Sequence, residues 1–258
     1  MSRLRARCPD CRTFTAVALG PEYQCHACGR TFGAGLVRVP RAWGTGGEAM
    51  AEAAALDLPY PEAGVVAEDS LAEQTLALAS DLPDRPLILG GCCCSHVGAV
   101  EGLAARHGRI AVVWLDAHGD LNTPESSPSG NAWGMPFRML LDAGTVVPRD
   151  AVLIGARNLD PPEEAFIAES GLHSGADGVD AALEGTEGAY VAFDADVLDP
   201  SEMQVFMPEP EGMTVASAEE LLHSVAARAT ILGVGLSGLR LDERNVAPLR
   251  RLTAALGL

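Results

Sequence analysis

Acidic and imidazole side chains recur at alternate positions in two short segments of the chain. Residues 116–120 read DAHGD, and residues 194–199 read DADVLD. Alternate side chains of an extended segment point to the same side, so each segment can direct its polar groups toward one point. Many carboxylates cannot stay ionised together unless a cation neutralises them. Carboxylate-rich ligation suits a hard divalent ion such as Mn²⁺, and the expected ligands are Asp116, His118, Asp120, Asp194 and Asp196.

Two cysteine pairs near the N-terminus predict a second metal site. Cys8 and Cys11 form one Cys-x-x-Cys pair, and Cys25 and Cys28 form another after thirteen intervening residues. Four thiolates at this spacing suit a structural zinc. A segment of about forty residues cannot bury a sufficient hydrophobic core without a stabilising metal ion or crosslink. The segment resembles a zinc ribbon, which we expect over residues 1–35. The alternative is four unrelated free cysteines.

The elements that must position these residues alternate between strand and helix. Apolar runs predict strands at 36–39, 87–90, 110–115, 151–154, 190–193 and 231–236. Helical patterns lie at 48–56, 70–80, 96–106, 134–142, 161–170, 217–228 and 245–256. Strands that are apolar throughout and alternate with helices indicate a mainly parallel sheet covered on both faces. We therefore expect a three-layer α/β/α sandwich over residues 36–258, with ligands bound beyond the carboxyl ends of the strands.

Three segments together resemble the arginase/agmatinase (ureohydrolase) family. They are residues 90–98 (GGCCCSHVG), residues 116–120 and residues 193–200 (FDADVLDP). The resemblance spans roughly residues 36–258 and implies an arginase-like fold that holds two divalent metals. It implies that Asp116 and Asp194 bridge the metals and that Asp120 completes one coordination shell. His118 and Asp196 would complete the other, and a hydroxide shared by the metals would attack a planar carbon such as that of a guanidinium.

Three consecutive cysteines depart from the family pattern. Cys93 stands where the family has its first histidine ligand, Cys92 replaces an aspartate and Cys94 a serine. A metal-bound thiol loses its proton, so Cys93 can serve as a softer ligand and can shift the preference from Mn²⁺ toward Zn²⁺, Fe²⁺ or Ni²⁺. The alternative is a buried core cysteine. We expect Cys92 and Cys94 to point the other way on a strand and to pack, and His96 to be a structural histidine.

The resemblance also extends to a substrate-binding loop. Residues 122–131 resemble the arginase loop that binds the carboxylate of an amino acid. This resemblance implies that Asn122, Ser129 and Asn131 contact the substrate. Asp160 matches the residue that binds the α-amino group. Amide and hydroxyl donors suit an anion, and a carboxylate suits an ammonium group. The alternative is that these residues cap loops.

Two further positions argue against ordinary arginase activity. Trp133 stands where arginases have a proton-shuttling histidine, and Trp cannot transfer protons near neutral pH. Gly238 lies where the family has a glutamate that holds the guanidinium. An uncharged or smaller leaving group fits this pattern better than arginine does. Trp133 can instead stack on a planar or cationic substrate.

Charge limits the classes of partner. The chain of 258 residues has a formal charge of −17, and residues 1–41 carry +5 of it, which leaves −22 for the remainder. This strongly negative part of the protein repels the phosphates of nucleic acids and of anionic membranes. No apolar run has transmembrane length and no signal peptide is present, so a cytoplasmic protein is expected. We expect a small-molecule substrate, and the family implies a homo-oligomer.

These observations favour a metal-dependent hydrolase that cleaves a non-peptide C–N bond in a guanidino- or amidino-like compound. Asp120 or Asp199 is the candidate proton acceptor or relay. The alternative is a non-catalytic, metal-binding member of the fold that acts as a sensor or assembly subunit. A third hypothesis, a ribbon that binds nucleic acid, rests only on the basic charge of residues 1–41.

Metal content per chain tests both predicted sites. Protein purified without chelators should contain about three ions, one zinc and two others. The variant Cys93→Ser should lose one of them, because serine is a far poorer ligand than a thiolate. Elemental analysis provides the measurement. Zinc alone, unchanged by the substitution, would mean that the dinuclear pair is absent.

Overall fold

The computed structural model describes Cys8, Cys11 and residues 13–19, 22–33 and 35–258. The strands are β1 (Ala16–Leu19), β2 (Glu22–Cys25), β3 (Thr31–Gly33), β4 (Leu36–Val39), β5 (Glu62–Val65), β6 (Leu87–Gly90), β7 (Ala111–Leu115), β8 (Ala151–Ile154), β9 (His173–Ser174), β10 (Ala189–Asp194) and β11 (Ile231–Ser237). The helices are α1 (Glu48–Glu52), α2 (Leu71–Asp81), α3 (Ser95–His107), α4 (Pro136–Asp142), α5 (Pro161–Ser170), α6 (Val179–Leu183), α7 (Val215–Arg228) and α8 (Val246–Ala255). Within these described ranges no helix is long and apolar enough to cross a membrane.

A parallel sheet of eight strands forms the middle layer. Its order is β5-β4-β6-β11-β10-β7-β8-β9, and every described pairing in it is parallel. The central strands β6, β7, β10 and β11 are buried along their whole length. Such strands must be apolar on both faces, which is why they read as continuous apolar runs in the sequence.

Alternate residues of the central strands pack against opposite helical layers. Val113 and Val191 share a buried cluster with Leu222 of α7 and Leu249 of α8. On the other face, Val112 and Tyr190 share a cluster with Leu78 of α2 and Val100 of α3. The structure therefore confirms the predicted three-layer α/β/α sandwich with a parallel sheet.

The boundaries differ from the sequence prediction where local signals are weak. The strands β5 and β9 were not predicted, because they are short edge strands with partly exposed residues. The short helix α6 was missed as well. The predicted helix 48–56 changes at Ala53 into a 3₁₀ turn. The helix predicted from residue 134 begins at Pro136, since proline is favoured in the first turn, where its missing N–H has no partner to lose.

The N-terminal strands form a separate antiparallel sheet in the order β1-β2-β3. Ala16 and Tyr23 of this sheet are buried in the same apolar cluster as Leu78 and Leu82 at the end of α2. The small sheet thus packs against the helical layer formed by α2 and α3.

Two leucines of α2 offer a matched test of this packing. Leu78 is fully buried, whereas Leu76 is 67 % exposed. Leu78→Ala should lower the free energy of unfolding by about 2–5 kcal/mol, because it opens a cavity between helices and sheet. Leu76→Ala should change it by less than about 0.5 kcal/mol. Urea unfolding measures both, and equal effects would contradict the packing described for α2.

Candidate metal centre and substrate cavity

Four neighbouring strands deliver the candidate ligands to one edge of the sheet. Asp116 directly follows β7, Asp194 is the last residue of β10, and Ser237 is the last residue of β11. Cys93 lies in the turn between β6 and α3. Since these strands are adjacent and parallel, their carboxyl ends meet, and residues far apart in sequence come into contact.

One group of possible ligands consists of a thiol and two carboxylates. Ligand atoms of Cys93, Asp116 and Asp120 all lie within 4.8 Å of one another. The sulfur of Cys93 is 3.9 Å from Asp116 Oδ2 and 2.8 Å from Asp194 Oδ2. Asp120 Oδ2 is buried and has no hydrogen-bond partner among the described residues. An unpartnered buried carboxylate oxygen is costly, and a cation at this position would satisfy it.

A second group shares Asp116 with the first. Ligand atoms of Asp116, His118 and Asp196 lie within 4.8 Å of one another. His118 Nδ1 is 3.1 Å from Asp196 Oδ2 and 3.5 Å from Asp116 Oδ1. The membership of Asp116 in both groups fits the bridging position that the family resemblance implies for it. Asp194 lies beside the first group, and its bridging role remains a prediction.

Hydrogen bonds from neighbouring N–H groups hold these carboxylates in place. Trp114 Nε1 donates to Asp116 Oδ2 at 3.2 Å, and the His118 amide donates to Asp116 Oδ1 at 2.7 Å. The Ala117 amide donates to Asp196 Oδ1 at 3.0 Å. Asp116 and Asp196 are therefore oriented by N–H groups at or next to the carboxyl end of β7.

Burial and mutual repulsion disfavour the charged forms of these acids. Burial, together with the charge of Asp196, raises the pKa of Asp194 to about 7. Burial and Asp116 raise the pKa of Asp196 to about 6, and burial and Asp116 raise the pKa of Asp120 well above its usual range. Burial and the same carboxylates raise the pKa of the Cys93 thiol as well. A divalent cation would reverse this penalty, so the donor set fits such an ion.

The same carboxylates favour the charged form of His118. Burial lowers its pKa, but Asp116 and Asp196 outweigh burial and raise the pKa to about 12. Its Nε2 lies 3.4 Å from Glu209 Oε1, an ion-pair distance rather than an aligned hydrogen bond. Without a cation the imidazolium partly neutralises the surrounding carboxylates.

A cavity of about 280 Å³ opens above this group. Its floor is formed by the candidate metal ligands. One wall is acidic and polar and includes Asn122, Ser129, Asp160 and Glu163. The apolar lining includes Met50, Trp133 and Phe206, and the rings of Trp133 and Phe206 meet edge to face.

Four of the five predicted substrate-binding residues line the cavity; the exception is Asn131. The side-chain oxygen of Asn131 accepts a hydrogen bond from the Thr45 amide at 2.9 Å, so it holds a neighbouring loop. Asn122 does line the cavity, but its amide is already used. It donates to Asp160 Oδ2 at 2.8 Å and accepts from Ser126 Oγ at 2.8 Å, so it orients Asp160.

Asp199 is not among the residues that line the cavity. Its carboxylate accepts hydrogen bonds from the amide and hydroxyl of Ser201, which lower its pKa. The residue follows the motif in sequence, but the chain has already turned away from the strand end. The geometry gives no support to the prediction that Asp199 relays a proton.

The cysteine run adopts a different conformation from the one expected. Cys92 and Cys94 lie in the turn before α3, not on a strand as we predicted. Both are buried and pack with Met50, as expected of their packing role. His96 lies in the first turn of α3 and is buried with both ring nitrogens hydrogen-bonded, which matches the interpretation as a structural histidine.

The structure explains why residue 238 is a glycine. Its backbone has φ of +69°, and a Cβ atom at this position would lie 1.9 Å from Asp194 Oδ1. The Asp194 carboxylate therefore takes the space that a side chain at residue 238 would need.

The sequence analysis missed two acidic groups near the site. Glu163 lines the cavity and accepts from the Leu121 and Asp160 amides at 2.9 Å each. The spacing from Asp160 to Glu163 is a capping-box pattern, which could have revealed this role. Glu209 near His118 belongs to an irregular loop, and no local pattern marks it.

The four N-terminal cysteines lie together, as predicted. Their sulfur atoms lie within 4.8 Å of one another. Cys8 and Cys28 are 3.5 Å apart, and Cys11 and Cys25 are also 3.5 Å apart. These separations are close to those of four sulfurs around a tetrahedral zinc.

The raised carboxyl pKa values predict that metal-stripped protein loses stability as the pH rises. Folded Asp194 and Asp196 keep their protons up to about pH 7 and pH 6, whereas the unfolded chain releases them near pH 4. The folded state thus binds more protons between these limits, and the free energy of unfolding should fall as the pH increases through that window.

Urea unfolding of chelator-treated protein between pH 5 and 8 gives the measurement. Asp194→Asn should make the slope shallower by up to about 1.4 kcal/mol per pH unit, the effect of one proton. The exposed Asp57 provides a control, and Asp57→Asn should leave the slope unchanged. Equal slopes in wild type and Asp194→Asn would contradict the raised pKa.

Comparison with known proteins gives a consistent assignment. The model of the arginase family matches residues 49–237. Arginase from Bacillus caldovelox is 33% identical over 189 residues, which cover 62% of this chain and 63% of that protein. Arginase from Staphylococcus aureus (strain COL) is 37% identical over 142 residues, covering 45% of this chain and 47% of that one.

The chain thus spans about half to two-thirds of the length of these relatives. Among solved structures, arginase from Bacillus cereus superposes with a TM-score of 0.71 at 26% identity, over 86% of this chain and 96% of that one. The family match covers most of the sheet together with Asp116, His118 and Asp194. This chain is a member of the arginase family.

Proposed function

We propose that this protein is a metal-dependent hydrolase that cleaves a non-peptide C–N bond in a guanidino- or amidino-like compound. The observation that carries the proposal is the buried set of carboxylates and imidazole at the floor of a cavity. The set occurs at the carboxyl edge of an arginase-family sheet. Buried acids with raised pKa values inside a cleft are typical of a functional site.

Two groups of residues would hold the two divalent ions. Cys93, Asp116 and Asp120 form one group and Asp116, His118 and Asp196 the other, with Asp194 beside the first. The carboxylates favour Mn²⁺, and the thiol of Cys93 makes Zn²⁺, Fe²⁺ or Ni²⁺ alternatives. When bound, such ions act as Lewis acids and lower the pKa of water.

Asp120 is the better of the two candidate proton acceptors. It lines the cavity among the candidate ligands, whereas Asp199 does not line the cavity and its carboxylate is engaged with Ser201. A general base must lie within reach of the proton it accepts. Asp120 meets this requirement for a group bound on the cavity floor.

The polar and apolar residues that line the cavity indicate the chemical groups of a suitable substrate. Asp160, oriented by Asn122, offers a carboxylate to an ammonium or amidinium group. No arginine is among the residues that line the cavity within the described part of the chain, so a cation is favoured over an anion. The rings of Trp133 and Phe206, which also line the cavity, favour a flat group on the substrate. Because Trp133 cannot shuttle protons, arginine itself is a poor candidate.

The four N-terminal cysteines complete the proposal. We assign Cys8, Cys11, Cys25 and Cys28 as ligands of one structural zinc in a ribbon over residues 1–35. The zinc would fix the small sheet that packs against α2 and α3.

A panel of guanidino, amidino and amide compounds tests the function. Metal-loaded protein should release urea, ammonia or an amide from at least one of them. Asp120→Asn should reduce kcat strongly because it removes both a ligand and the acceptor. The matched variant Asp199→Asn should keep kcat within about twofold, since its carboxylate does not line the cavity.

Two results would count against this proposal. Protein that binds two ions yet hydrolyses no compound would favour the non-catalytic, metal-binding member of the fold. A loss in Asp199→Asn as large as in Asp120→Asn would contradict the choice of acceptor.

A further inference from the structure

A buried line of hydrogen bonds connects the core of the protein to the candidate metal centre. The Tyr190 hydroxyl lies 3.0 Å from His96 Nδ1, and His96 Nε2 lies 3.0 Å from Ser237 Oγ. All three side chains are fully buried. The line ends at the centre, because Ser237 Oγ is 3.1 Å from Asp194 Oδ2 and 3.2 Å from Cys93 Sγ.

The chemistry of the three groups fixes the direction of these hydrogen bonds. Burial lowers the pKa of His96 to about 3, so its ring is neutral and has one donor and one acceptor nitrogen. Burial also raises the pKa of Tyr190, which therefore keeps its proton. Within the described residues His96 is the hydrogen-bond partner of the Tyr190 hydroxyl. The phenol can satisfy its buried proton only by donating to Nδ1.

This first bond determines the other two. With Nδ1 as the acceptor, Nε2 carries the ring proton and donates to Ser237 Oγ. The Ser237 hydroxyl is then free to donate its own proton to Asp194 Oδ2. In this arrangement every donor has an acceptor. The opposite arrangement would leave the Tyr190 proton without an acceptor.

A glycine on the neighbouring strand provides the space in which the side chains of His96 and Tyr190 meet. Gly235 lies on β11, two residues before Ser237, and its missing side chain faces the line. A Cβ atom there would lie 2.2 Å from His96 Nδ1 and 2.2 Å from the Tyr190 hydroxyl. Glycine at residue 235 is therefore required for His96 and Tyr190 to meet. The arrangement joins α3, β10 and β11, three elements that surround the centre.

We propose that Tyr190, His96 and Ser237 form a positioning network for the metal centre. The network fixes the Ser237 hydroxyl as a donor to Asp194 and as a neighbour of Cys93, and so keeps this carboxylate and this sulfur in contact. The inference rests on the metal centre of the proposed function. It adds residues that act through the ligands and touch neither the metal nor the substrate.

The network should influence metal affinity. Partners that orient a ligand by hydrogen bonding typically change the affinity by about 10- to 100-fold when they are removed. Ser237 is the partner shared by Cys93 and Asp194, so its loss removes one hydrogen-bond partner from each of them. Tyr190 acts from further away, because only His96 and Ser237 transmit its effect.

Cobalt binding tests the network without relying on activity. The N-terminal cysteines are first loaded with zinc, and Co²⁺ is then titrated while the near-ultraviolet thiolate-to-cobalt absorption is recorded. Wild type should show this absorption and Cys93→Ser should lack it. Ser237→Ala should raise the Kd for Co²⁺ about 10-fold, and Tyr190→Phe should raise it by less but in the same direction.

A matched control separates the network from a general loss of stability. Tyr60 also has a hydroxyl bonded to another side chain, Thr253. Neither residue lines the cavity, and Tyr60→Phe should leave the Kd unchanged. Wild-type affinity in both Ser237→Ala and Tyr190→Phe would overturn the network. An equal loss in Tyr60→Phe would overturn it too.

A different result would identify failure of the proposed function itself. If wild type binds no cobalt beyond the zinc-loaded cysteines, the metal centre is absent. If wild type binds cobalt without the thiolate absorption, Cys93 is not a ligand and its contact with Ser237 has no positioning role.

Discussion

Repulsion among buried carboxylates is the constraint on which the rest of this structure depends. Asp116, Asp120, Asp194 and Asp196 lie at the carboxyl edge of one parallel sheet, and all four are almost completely buried. Their burial weakens the solvation that would otherwise reduce this repulsion. The fold therefore places amide donors, a histidine and an indole around the acids, and it leaves one carboxylate oxygen for a cation.

The chemistry of the centre differs from that of a purely oxygen- and nitrogen-based site. The sulfur of Cys93 takes part in the contacts of Asp194, and Ser237 holds both. Gly238 and Gly235 leave the space that these contacts require. Cys93 therefore has specific polar contacts with Asp194 and Ser237 in addition to its apolar neighbours.

The sequence predicted those parts of the molecule whose signals are local. The central strands could be recognised because burial on both faces demands a continuous apolar run, and the Asp116–His118 and Asp194–Asp196 pairs could be recognised because ligands alternate at strand ends. The edge strands β5 and β9 escaped because short, partly exposed strands have no such pattern. The contacts of Ser237 and Tyr190 with His96 could not be predicted, because they depend on distances between separate elements. Asp199 shows the reverse case, in which a residue next to a motif turns away from the site.

The position of β11 has a consequence for how the chain reaches its native state. This last strand lies in the middle of the sheet and joins β5-β4-β6 on one side to β10-β7-β8-β9 on the other. Cys93 follows the first half and Asp194 belongs to the second, so their contact requires β11 to pair with both β6 and β10. Contacts between residues so distant in sequence slow folding. The two halves of the sheet, and with them the thiol and the carboxylates of the candidate centre, are therefore joined by a single strand that comes late in the chain.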